Sequence, residues 1–343
     1  MMRLPLSWLL AFTTAALALL LLGSLATGPM TLTLGESLRA LFAGQESGIE
    51  SHKLLIVQEI RLPRTLLCIA VGGILGLCGA VMQGLFRNPL ADPGIIGVSG
   101  GAALGAALAI VLLAPLGQQL QATIGIGLLP LLAFFGGALT TTLVYLLGTR
   151  EGGTSVTVML LAGVAITALS GAVIGLLTYL ADDQMLRNLS LWQMGTLAAG
   201  KPADVALALL TLAALLWLFM RDANPLNALL LGEGEARHLG VNVQSLKRRL
   251  ILLTAAGVGV AVAVSGMIGF VGLVVPHLVR LLAGPNHVRL LPLSALLGAA
   301  LLLAADMLAR TLLAPAELPV GIITALLGAP FFIWLLVKGR RAL

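Results

Sequence analysis

Long apolar stretches with almost no charge recur from one end of this sequence to the other, and they leave it few folds. Spanning the hydrocarbon layer of a bilayer takes about 20 predominantly apolar residues. Segments of that kind lie within residues 4–35, 65–86, 152–181, 290–313 and 318–337, with a shorter one at 205–220. Residues 93–148 hold two more, broken by the polar Gln118, Gln119 and Gln121, and residues 250–276 begin another that runs into a shorter element at 269–283. In lipid, only helices and closed barrels satisfy every backbone polar group. These runs are continuous rather than alternating, which selects helices over barrel strands. With 59% hydrophobic and 10% charged residues, the chain cannot cover a water-facing surface; soluble domains carry roughly 25% charge. The expectation is an all-α membrane protein of about ten transmembrane helices, forming a single transmembrane domain over residues 1–343.

The first span follows Met1, Met2 and Arg3. Its apolar core exceeds that of a secretory signal and no small-x-small cleavage site follows, so it reads as a retained helix. With the N-terminus inside and ten spans, Arg3, Arg87, Arg150, Arg221, Arg237, Lys247, Arg248, Arg249, Arg280, Arg289, Lys338, Arg340 and Arg341 face the cytoplasm. Arg39, Lys53, Arg61, Arg64, Arg187, Lys201 and Arg310 face outward, which makes 13 against 7. That excess satisfies the positive-inside rule, puts both termini in the cytoplasm, and accounts for the net charge of +6 without nucleic acid. Cys68 and Cys78 share one span, ten residues or about 15 Å apart along a helix, too far for a disulfide. They read as packing residues.

Many of the 41 glycines recur four residues apart: Gly72 and Gly76; Gly97, Gly101 and Gly105; Gly171 and Gly175. Between helices in lipid, small residues allow the close backbone approach that holds a bundle together. Three patterns imitate chemistry. Residues 97–101 fit G-x-S-x-G around Ser99, with His277 a conceivable base, but a nucleophile elbow needs a preceding strand and the context is helical. Residues 195–201 fit G-x-x-x-x-G-K, but Pro202 stands where a phosphate loop needs Ser or Thr. His52, His238, His277 and His287 form no ligand spacing. The chain therefore carries no catalytic site, metal site or permanently bound cofactor of its own.

Charges beside membrane spans mark either ion pairs or a pathway. Arg61 and Arg64 flank Pro63, a residue suited to a helix start, just before the second span. Arginines there oppose the helix dipole, so an anionic partner or lipid headgroups would account for them. Asp306 and Arg310 have the spacing of an intrahelical ion pair. Arg187 follows Asp182 and Asp183, and either faces a water-filled cavity or pairs with them. The inside connection over residues 222–249 contains Leu231, Gly232, Glu233, Glu235, Ala236, Leu239 and Gly240. Within it, residues 230–240 read as a short amphipathic helix between glycines, and the connection is either a docking surface or a solvated connector.

Six segments together resemble the FecCD-type permeases of ABC importers, which carry iron siderophores, heme and vitamin B12: RLPR (61–64), GAVMQGLFRNPLADPGIIGVSGGA (79–102), LLGEGEARHLGVNV (230–243), GFVGLVVPHLVRLL (269–282), LPLSALLGAALLLAADMLAR (291–310) and AELPVGIITALLGAPFFIWLL (316–336). The resemblance implies a ten-helix permease of type II importer architecture in the bacterial inner membrane. It implies a homodimer served by two cytoplasmic ATPase subunits, which use the ATP, and by a periplasmic binding protein. In that pattern Arg61, Arg64 and Arg310 receive carboxylates of the binding protein. Leu231, Gly232, Glu233, Glu235, Ala236, Leu239 and Gly240 seat on the ATPase, and Val156 and Thr157 form the cytoplasmic gate. Residues 179–195 and 310–317 look most like the heme permeases, so Arg187 would meet a heme propionate. The vitamin B12 permeases carry a similar Leu-Arg, which keeps that substrate, and a ferric siderophore, as alternatives. An intramembrane serine protease built on Ser99 and His277, or a proton-coupled transporter built on Asp306, are the rivals from other classes.

Overall fold

The computed structural model describes residues 5–42, 50–114, 116, 119, 127–150, 153–198 and 200–340; Arg3, Gln118, Gln121 and Arg341 lie outside them. In chain order its helices are α1 (Leu6–Ala26), α2 (Leu34–Phe42), α3 (Ser51–Leu55), α4 (Leu62–Leu85), α5 (Val98–Val111), α6 (Leu128–Gly148), α7 (Val156–Leu180), α8 (Asp183–Gln193), α9 (Pro202–Arg221), α10 (Ala223–Leu230), α11 (Glu233–His238), α12 (Val243–Ser265), α13 (Val271–Ala283), α14 (His287–Thr311) and α15 (Val320–Arg340). The strand pairing among the described residues is one antiparallel ribbon, β1 (Thr149–Arg150) with β2 (Gly153–Thr154). Among the described residues, seven helical runs are long and apolar enough to cross a bilayer, and α5, α13 and the apolar part of α15 are shorter apolar helices. Together they stand at the ten positions expected from hydropathy.

The helix α4 is the axis of the bundle, with 89% of its apolar window buried. It packs against α9, α12, α13 and α14. Glycines make this approach possible. A Cβ at Gly79 would lie 1.9 Å from the Gly272 carbonyl oxygen of α13; one at Gly72 or Gly76 would lie 2.4 Å from the Gly298 or Ser294 oxygen of α14. Gly101 and Gly105 do the same for α5 against α6, with would-be contacts of 2.0 Å to Thr140 and 1.9 Å to Leu132. The remaining pair departs from expectation. Gly171 and Gly175 have no heavy atom within 4 Å of an added Cβ among the described residues, because they lie on the outward face of α7, of which 17% is buried.

The surroundings of the arginines differ from a simple span boundary. Pro63 stands in the first turn of α4, but that start is not a free helix end: a π-helical turn, Ile56–Arg61, joins α3 to α4, and the helical run extends over Ser51–Leu85. A π turn is wider than an α turn, which gives the pyrrolidine ring room against the carbonyl four residues back. Arg61 and Arg64 therefore sit about three turns inside the helix, away from the positive end of its dipole. The span ending at Leu180 is also followed by a separate helix, α8, carrying Arg187. The Asp182 carboxylate accepts the Met185 N–H at 2.8 Å and caps it, the usual role of aspartate at such a boundary.

Candidate functional site

At the end of the bundle where α1 and α14 finish, three arginines converge. Arg61 donates Nη1 to the carbonyls of Leu25 at 2.7 Å and Ala26 at 2.9 Å, and Nη2 to Met30. Arg310 donates Nη2 to Ser24 Oγ at 2.8 Å and Nη1 to the Thr27 carbonyl at 3.1 Å. Both thus satisfy carbonyls at and beyond the end of α1, which that helix leaves without intrahelical donors. Arg64 grips Asp306 with Nε and Nη2, at 3.0 and 2.8 Å to Oδ1, and turns Nη1 to Glu317 Oε2 at 2.6 Å. The predicted Asp306–Arg310 pair is present, Nε to Oδ2 at 3.0 Å. Asp306 is thus shared between two guanidiniums.

All three arginines are 5% exposed or less, and Asp306 is fully buried. Buried charges persist when paired and hydrogen-bonded; Arg64, Arg310 and Asp306 are both, while Arg61 is held by backbone carbonyls alone. Against three cations stand Asp306 and Glu317, which leaves the cluster with a net positive charge. The Glu317 side chain, 33% exposed, is the most open member of its ion pairs with Arg64, where the arginine is 6% exposed. The candidate acid of the proton-coupled rival is thus a member of a structural ion-pair cluster with two guanidiniums.

The other end of the bundle holds the second group. Gly232 with φ +123° and Gly240 with φ +82° bracket α11. After the second glycine the Val241 N–H returns to the Ala236 carbonyl at 3.0 Å and closes the helix end. The short helix expected between the glycines is α11, and a second short helix, α10, precedes it, with Leu231 between them and Leu239 just beyond. Ala236 packs inward with no exposed surface, whereas Leu231 and Leu239 are 68% and 64% exposed. Glu235 is exposed, and Glu233 is half-buried with Oε1 bonded to the Lys247 ammonium at 2.6 Å. Val156 and Thr157 open α7 behind the cap residue Ser155, Val156 half-buried and Thr157 exposed.

Arg187 is exposed on α8 and makes no ion pair with Asp182 or Asp183 among the described residues, which removes the pairing alternative. Ser99 lines a small cavity beside Asp92 and Gly272, while His277 lines another against Phe331. No hydrogen bond joins the two among the described residues, so the protease rival has no dyad. Gly195, with φ +72°, turns a loop packed on the Met267 carbonyl, and Pro202 begins α9. Glu317 and Lys247 are the functional-site residues that sequence reasoning missed. Lys247 hides in a basic triplet with Arg248 and Arg249, and the partner of Glu317 stands 253 positions away in sequence.

Residues 16–338 match the FecCD transport family. The hemin transport system permease of Yersinia pestis is 47% identical over 336 residues, covering 97% of this chain and 96% of that one. A vitamin B12 import system permease of Shigella boydii is 42% identical over 334 residues, 97% and 96% of the two chains. A cobalamin import system permease of Halobacterium salinarum is 44% identical over 297 residues, 87% of this chain and 77% of its own. Among solved structures, a transporter described as a metal-chelate type ABC transporter, in an inward-facing conformation, superposes with a TM-score of 0.82 at 33% identity, covering 97% and 99%. The helical bundle and these likenesses define the chain as the membrane permease of an ABC importer. It belongs to the FecCD transport family.

Proposed function

We propose that this permease carries hemin inward across the bacterial inner membrane by alternating access. It would do so as a homodimer, with two cytoplasmic ATPase subunits and a periplasmic binding protein. The observation that carries the substrate is the end-to-end 47% identity to a permease named for hemin transport. Arg187 supports it from the chemistry: an exposed guanidinium with no ion-pair partner among the described residues matches a propionate carboxylate in charge and geometry. Vitamin B12 is the second reading, favoured by relatives named for that cargo at 42–44% identity. ATP is used by the partner subunit, and no permanently bound cofactor is required.

The positive cluster of Arg61, Arg64 and Arg310 is the docking site for acidic groups of the binding protein. Because all three are engaged internally, a docking carboxylate reaches Arg64 by displacing the half-buried Glu317. Leu231 and Leu239, exposed beside a closed helix end, present the ATPase with an apolar contact, and Gly232, Glu233, Glu235, Ala236 and Gly240 shape it. Val156 and Thr157 form the cytoplasmic gate, with both termini in the cytoplasm. The uncovered face of α7, with Gly171 and Gly175 open, supports a second copy as its cover.

Reconstitution with the cognate ATPase and binding protein tests the cargo. ATP-dependent uptake of hemin is expected to exceed that of vitamin B12 and of a ferric siderophore. Faster uptake of either competitor overturns the assignment.

A further inference from the structure

Lys247 sits in the first turns of α12 with its side chain 3% exposed, and its ammonium has two partners. One is Glu233 Oε1 in α11, at 2.6 Å. The other is the carbonyl of Thr154, at 3.1 Å, in the strand β2 that leads into α7. Gln244, three residues earlier, holds the same residue: its Oε1 accepts from the Thr154 N–H and the Thr154 hydroxyl, both at 3.2 Å. The fit is close. Gly153 has φ +116°, and a Cβ there would fall 2.4 Å from Gln244 Nε2, so the ribbon lies directly on α12. Beyond Thr154, Ser155 bonds back to the Gly148 carbonyl at 2.8 Å and caps α7, and Val156 follows. The other oxygen of Glu233 faces exposed Arg237 at 3.7 Å.

We propose that Lys247 is a positioning residue that ties α11 to the ribbon ahead of α7, so that a displacement of the ATPase-facing helix is delivered to Val156 and Thr157. This rests on the coupling and gate roles proposed above. The physical reason is the asymmetry of buried ion pairs: an ammonium out of water is strongly disfavoured once its carboxylate leaves. Lys247 therefore follows Glu233 rather than releasing it. Its remaining hydrogens, with Gln244 beside them, carry Thr154 along. The distance from Thr154 to the gate is two residues of chain, too short to absorb the motion.

The test uses the permease assembled with its ATPase and binding protein in proteoliposomes, with hemin as cargo and a Thr157→Cys reporter. Cys68 and Cys78 are both buried, so a water-soluble thiol reagent reads position 157. In the Thr157→Cys background, ATP is expected to change the labelling rate. Adding Lys247→Met, which keeps the length of the stem and removes the ammonium, should leave the ATPase bound and hydrolysing. Labelling should then no longer respond to ATP, and hemin moved per ATP should fall about tenfold, within the usual span of a site-to-site coupling. Glu233→Gln, half-buried and isosteric, carries the test if Lys247→Met does not assemble, with a smaller loss of response expected. An unchanged labelling response together with unchanged hemin per ATP, in either variant, overturns the relay. Failure of the reporter to respond before Lys247 is touched refutes the gate role instead. Failure of the unmodified permease to retain the ATPase refutes the coupling role. The relay falls with either.

Discussion

Arg64 and Asp306 are 242 positions apart in sequence and share a bidentate contact in which both side chains are almost wholly buried. Removing one partner of a buried pair strands the other, which costs about 3–5 kcal/mol. Arg64→Ala is therefore expected to lower the unfolding midpoint of the detergent-solubilised permease markedly, although Arg310 still touches Asp306. Glu317→Gln should cost less, about 1 kcal/mol or below, since a partly exposed pair is screened. Equal midpoints for Arg64→Ala and the unaltered protein would mean that the cluster does not hold α1, α4 and α14 together. The i,i+4 spacing made the Asp306–Arg310 pair visible in the sequence. Nothing local announced that Arg64 would claim the same carboxylate, because that contact exists only once α4 and α14 lie side by side.

At the scale of elements, the stretch between α9 and α12 is built for contact rather than for burial. Two glycines at positive φ set its bends, Ala236 anchors α11 inward, and two leucines remain in the open. Contiguous exposed apolar patches mark interaction surfaces, and the coupling role proposed above places these two leucines in one. Leu231→Asp combined with Leu239→Asp should leave the melting of the permease unchanged and reduce the amount of ATPase that co-purifies with it. Full retention of the ATPase by that double variant would remove the coupling role of this surface. The glycines made the location of this element legible in the sequence. That a second helix, α10, precedes α11 was not, since the break at Leu231 depends on α10 packing on α4 and α14.

For the whole molecule, the glycine pairs separate contacts within one chain from a surface left uncovered by it. At Gly79 a methyl group would meet a carbonyl of α13 at 1.9 Å. Overpacking costs about 1–3 kcal/mol and outweighs the roughly 1 kcal/mol that alanine gains over glycine in a helix. Gly79→Ala is thus expected to destabilise the single chain. A Cβ at Gly171 meets nothing within 4 Å among the described residues, so Gly171→Leu should melt like the unaltered protein while weakening the homodimer in a cross-linking assay. A dimer of unchanged strength would show that the face of α7 around Gly171 is covered by lipid instead.

Hydropathy alone determined the helical membrane fold and its ten apolar elements, because each segment must satisfy its own backbone in lipid whatever its neighbours do. The glycine spacings marked the close contacts of α4 and α5 for the same local reason. Tertiary structure alone decided that Pro63 lies inside a continuous helix, that Gly171 and Gly175 face outward, and that Lys247 bridges Glu233 to Thr154. Each of these depends on which surfaces of distant segments meet, and a one-dimensional pattern carries the periodicity of a helix face but not the identity of what covers it.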